Sequence, residues 1–147
     1  MAVRPSPRPG DETADATTRK SRDDPELREL AIGYFGASTG AAAALCAAAE
    51  LGREISAVVS RGGRPDLASH RLGQVTTPTL LIVGAADWGV IELNEQALAA
   101  LHCEKELVLV PMATHLFPEP GALEQVAGHA ARWLTRWLAP TPARTDA

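Results

Sequence analysis

Gly36-Ala37-Ser38-Thr39-Gly40 decides how this chain is read. The pentapeptide follows an apolar run, Ala31-Ile32-Gly33-Tyr34-Phe35, and precedes an alanine-rich segment, Ala41 to Glu50. Strand, G-x-S-x-G, helix is a turn sharp enough to hold the serine at a strained backbone angle. Glycines are expected on both sides of the serine, because a larger side chain would collide with the neighbouring strand and helix. Ser38 is then a candidate nucleophile. A free hydroxyl needs a base to take its proton, and the base needs a third group to orient it.

Outward from this turn, strand and helix patterns alternate. Strands are predicted at Ile32–Phe35, Ile55–Val59, Thr79–Val83 and Glu106–Val110. The last three are short, mostly apolar and rich in β-branched residues, as expected of strands covered on both faces. Helices are predicted over Thr39–Leu51, Leu93–Leu101 and Ala122–Leu138, with a less regular stretch near Leu67–Gln74. In the last helix Leu123, Val126, Ala130, Leu134 and Trp137 share one side at helical spacing. Alternating βα units imply an α/β fold with a parallel sheet and right-handed crossovers.

Partners for Ser38 follow in chain order. Asp87 ends the small-residue turn Gly84-Ala85-Ala86-Asp87 after the third strand, and His115 follows the fourth in Pro111-Met112-Ala113-Thr114-His115. In a parallel sheet these loops emerge at the same edge as the serine turn. Asp66, after the second strand, is an alternative acid, although its Pro-Asp context also reads as a turn. Arg61 and Arg64 stand on the loop before it, either holding a substrate carboxylate or simply solvated. Trp88 either lines a pocket beside Asp87 or packs on the following helix. Phe117 is expected to anchor the histidine loop. His70, His102 and His129 lack paired ligands at metal spacing, so no metal site is expected.

The stretches GYFGASTGAAAAL, SRGGRPDLA, TPTLLIVGAADWGVIELN and PMATHLFPEPGALEQVA together resemble the C-terminal half of an α/β-hydrolase, nearest to dienelactone-hydrolase-like members. The resemblance covers most of Leu30 to Leu138. It implies a partial fold of about four parallel strands with flanking helices, the strands that normally precede the serine turn being missing. It further implies Ser38 as nucleophile, His115 as base, Asp87 as acid and the Thr39 backbone N–H as an oxyanion donor. No cofactor is implied. Some similar hydrolase domains are joined to a phosphoribosyltransferase domain. Dienelactone hydrolases proper carry cysteine at the nucleophile position, so serine favours general ester, thioester or lactone hydrolysis. The other expectation is a catalytically inactive remnant that serves as an interaction domain or subunit.

Composition bounds the remaining readings. The chain has 147 residues and a net charge of -4, which gives no electrostatic case for nucleic acid. No run approaches the ~20 apolar residues that span a bilayer. Residues 1–26 lack apolar periodicity and read as a disordered leader, 27–138 as one hydrolase-like domain, and 139–147 as a flexible tail. Cys46 and Cys103 lack CxxC spacing and read as reduced thiols, hence a cytoplasmic protein. The expected partners are a small ester-type substrate and, because the serine-turn strand would be an exposed edge, a second copy or a complementing chain.

Overall fold

Four strands pair side by side, all parallel, in the order in which they occur in the chain. They are β1 (Gly33–Ala37), β2 (Ala57–Arg61), β3 (Thr79–Gly84) and β4 (Lys105–Val110). The register sets Tyr34 against Val58, Val59 against Leu80 and Leu81 against Leu107. Helix α1 (Thr39–Leu51) joins β1 to β2, α2 (Trp88–Ala100) joins β3 to β4, and α3 (Ala122–Leu138) follows β4. Two short 3-10 turns, Pro65–Ala68 and Leu72–Gln74, fill the β2–β3 crossing. This computed structural model describes residues 31–138, so the leader expected at 1–26 and the tail expected at 139–147 lie outside the described residues.

Side-chain alternation along the strands divides the core into two layers. Val58 and Leu81 face α1 and α2, meeting Leu45, Ala48, Ala97 and Leu101. Ala57, Val59, Leu80 and Ile82 face α3, meeting Val126, Ala130 and Trp133. Every residue of β3 is buried, as befits a strand with neighbours on both sides and helices on both faces. Alanine dominates the buried side of α1, and its small side chains let the helix lie close to the sheet.

Several sequence expectations are corrected by these positions. Ile55 is buried but sits in the loop after a 3-10 turn, so β2 starts two residues later than expected. Arg61 therefore closes β2 instead of standing in the loop. In β4, Leu107 packs on the α1–α2 layer and Val108 and Val110 on the α3 layer, while Lys105 and Glu106 at its start are exposed. Lys105 instead caps α2, its Nζ donating to the Leu98 and Leu101 carbonyls at 2.7 and 2.8 Å. Helix α2 begins at Trp88, five residues before the expected Leu93. On α3, Leu123 is 51% exposed; the inward stripe is Ala122, Val126, Ala130 and Trp133, with Leu134 and Trp137 packed beside it.

Candidate active site

Ser38 sits between β1 and α1 with φ 50° and ψ -123°, a backbone conformation that side chains other than glycine seldom adopt. The turn is tight because the chain reverses from strand to helix in one residue. A methyl at Gly36 would lie 2.6 Å from the Gly40 carbonyl oxygen and 2.7 Å from the Ala41 nitrogen, so only glycine fits. Gly40 is different. A methyl there would meet nothing within 4 Å, which corrects the expectation that both glycines are sterically required.

His115 reaches the same place from the β4–α3 loop. Its Nε2 lies 3.2 Å from Ser38 Oγ across 77 residues of sequence, and its Nδ1 lies 2.9 Å from Asp87 Oδ2. A carboxylate only accepts, so Asp87 fixes the proton on Nδ1 and leaves Nε2 free to accept from the serine hydroxyl. Asp87 occupies the N-cap position of α2, yet its carboxylate makes no cap bond and turns to the imidazole instead. The carboxylate is the more enclosed of the pair, its side chain 16% exposed against 41% for His115.

The histidine loop is held by its neighbours. Phe117 is buried with φ 54°, and its N–H donates to the Thr114 carbonyl. Glu119 accepts from both the N–H and the hydroxyl of Thr114, which holds its carboxyl below the usual range. The Ala86 N–H donates to Ala113 O at 3.0 Å, and a methyl at Gly84 would overlap that carbonyl. Gly84 thus lets the loops bearing Asp87 and His115 touch. Glu119 and Gly84 carry no role in the sequence pattern alone, although a glycine ending a buried strand is a signal from which the latter could be found.

The remaining candidates separate clearly. Thr39 is the first residue of α1, so its amide has no upstream carbonyl within the helix to bond. Asp66, the alternative acid, is bound bidentately by Arg64 at 3.0 and 2.9 Å, and that guanidinium holds its carboxyl below the ordinary value. This pairing engages Arg64 as well. Arg61 lies over the Phe117 ring, 5.9 Å from its centroid. Trp88 is 78% exposed at the start of α2, which sets aside the expectation that it packs on the helix. Cys46 is buried and Cys103 partly so; neither is in a disulfide, and burial pushes the Cys103 thiol up.

Known proteins share this arrangement of strands and helices. A crystal structure of dienelactone hydrolase from Anabaena variabilis superposes with a TM-score of 0.85 at 51% identity, covering 87% of this chain and 59% of that one. The fold is that of a dienelactone-hydrolase-like α/β-hydrolase. A monoacylglycerol lipase from Paleococcus ferrophilus shares the α/β-hydrolase fold at 15% identity and a TM-score of 0.71, covering 86% of this chain and 74% of that one. A Mycobacterium tuberculosis H37Rv protein named as a phosphoribosyl transferase is 59% identical over 109 residues, 74% of this chain. The match spans only 25% of that relative's length. No family model matches the chain. No helix among the described residues is long and apolar enough to cross a membrane.

Proposed function

We propose that this chain is a serine hydrolase acting on a carboxylic ester, thioester or lactone through a Ser38–His115–Asp87 triad. The observation that carries this reading is the pair of contacts through one imidazole, 3.2 Å to Ser38 Oγ and 2.9 Å to Asp87 Oδ2. Ser38 Oγ attacks the acyl carbonyl while His115 Nε2 takes its proton. Asp87 stabilises the imidazolium that forms, and the Thr39 N–H donates to the oxyanion. His115 then protonates the departing alkoxide or thiolate, leaving an acyl-serine. A water molecule, its proton taken by His115, attacks that ester; collapse releases the acid and returns the proton to Ser38. Each step is carried by side chains and a backbone amide.

Arg61 and Trp88, at the same sheet edge, are the proposed substrate contacts. Arg64 is not, because Asp66 already satisfies its fork. The phosphoribosyl transferase name belongs to a protein of which the match covers a quarter, and it does not bear on these steps. Cys46 and Cys103 as reduced thiols, neither in a disulfide, support a reducing, cytoplasmic setting. The direct test is labelling with a fluorophosphonate probe, which the wild type accepts and Ser38→Ala does not. Unchanged labelling of Ser38→Ala would exclude Ser38 as the nucleophile.

A second reading is an interaction domain without catalysis. It draws on β1, which pairs with β2 alone among the described residues and carries Phe35 at 52% exposure. Such an edge accepts a further strand from a second copy or a complementing chain. Light scattering decides it: a dimer supports the covered edge, and a heat-stable monomer at high concentration opposes it.

A further inference from the structure

Asn94 is fully buried in the middle of α2, where a polar side chain requires a reason. Its Nδ2 donates to the Gly63 carbonyl at 3.1 Å and to the Val90 carbonyl at 2.8 Å. Two acceptors on the same side fix which end of the amide is nitrogen. Among the described residues the buried oxygen end has no hydrogen-bond partner, which is costly for an amide. The Val90 bond lies within the helix. The Gly63 bond reaches a different segment, 31 residues away.

That segment, Gly62 to Arg64, meets two of the three proposed catalytic residues, His115 and Ser38. Gly62 has φ 53°, and a methyl on it would lie 3.1 Å from the His115 carbonyl oxygen and 3.5 Å from two imidazole atoms. The Arg64 N–H donates to the Ser38 carbonyl at 3.0 Å. Gly63 between them is locked in place: a methyl there would overlap the Ser60 hydroxyl and lie 2.5 Å from Ala41 Cβ. Asn94 belongs to the helix whose N-cap is Asp87. One amide therefore ties the acid-bearing helix to a tripeptide that abuts the base and holds the nucleophile's carbonyl.

We infer that Asn94 is a positioning residue, setting the Ser38 and His115 segments against the Asp87-bearing helix through the Gly62–Arg64 tripeptide. The inference rests on the proposed triad for its functional meaning. Its physical content is that the imidazole's place depends on a side chain that touches neither substrate nor imidazole. Nitrogen-15 spectra of the His115 ring read that place without any turnover.

In Asn94→Ala, the ring signals should move toward those of a freely solvated histidine, and probe labelling should slow about tenfold or more, since small misplacements of reacting groups are costly. Thr79→Val is the control for general destabilisation. Thr79 is equally buried, and its hydroxyl donates to Thr77 at the opposite end of β3. It should lower the melting temperature and leave the ring signals in place. Unchanged ring signals in a folded Asn94→Ala, or equal movement in Thr79→Val, would overturn the inference. Should Asn94→Ala not fold, wild-type hydrogen exchange decides. The Asn94 side-chain amide protons, donated to Gly63 and Val90, should exchange as slowly as the backbone amides of β3, and fast exchange would refute the tie. A wild type that takes no probe would defeat the triad proposal alone, because the ring signals still report on Asn94.

Discussion

Gly36 and Ala41 approach so closely that a methyl on the glycine would lie 2.7 Å from the Ala41 nitrogen. That approach is what lets β1 turn into α1 at Ser38 and holds the serine at positive φ. Gly36→Ala should therefore destabilise the fold by about 1–3 kcal/mol or more, as overpacking does. Gly40, in the first turn of α1 with open space around it, should tolerate alanine and gain up to about 1 kcal/mol from helix propensity. Denaturant midpoints of the two variants measure the contrast.

Asp87 and Asp66 both follow strands at the proposed catalytic edge, but only Asp87 meets the imidazole. Asp87→Asn should keep the fold and cut ester hydrolysis by roughly 10⁴, because the neutral amide no longer holds the base's tautomer. Asp66→Asn should leave turnover nearly unchanged. Initial rates on an activated ester, with circular dichroism as the folding check, separate the two.

Arg64 depresses the Asp66 carboxyl, and the Thr114 bonds depress that of Glu119. A carboxyl lowered on folding stabilises the native state above its unfolded pKa, about 4 for aspartate and glutamate. The contribution is lost as pH falls through the lower folded value. Melting temperatures of wild type and Asp66→Asn should differ near neutrality and converge below about pH 4. A constant difference across that range would contradict the role given to the ion pair.

Phe117 is buried beneath the histidine loop and lies under the Arg61 guanidinium. Phe117→Ala should cost about 3–5 kcal/mol. It should also free the loop, so that hydrolysis falls at temperatures where the variant is still folded. Urea denaturation and rate measurements on one preparation test both consequences.

Much of this arrangement was legible because the strongest signals were local. Helices at 39–51 and 122–138 have their expected bounds, and Ser38, Asp87 and His115 meet as their order suggested. The misses have physical causes. Ile55 is apolar, β-branched and buried, so periodicity cannot tell that it lies in a loop before β2. Trp88 and Gly89 are weak helix formers, which hid the first turn of α2. Asn94 and Glu119 matter through partners that only the folded chain reveals. The sequence leaves Arg64 either to a substrate carboxylate or to solvent; its bidentate bond to Asp66, two residues on, is a third possibility that only the folded chain reveals.

In the proposed reaction Ser38 Oγ becomes acylated with His115 as its base. Incubating the protein with p-nitrophenyl acetate, quenching in acid and mapping the modified peptide by mass spectrometry tests it directly. The acetyl group should be found on Ser38 in the wild type and be absent in His115→Ala. Acetylation at another residue alone, or equal acetylation of Ser38 without His115, would contradict the account.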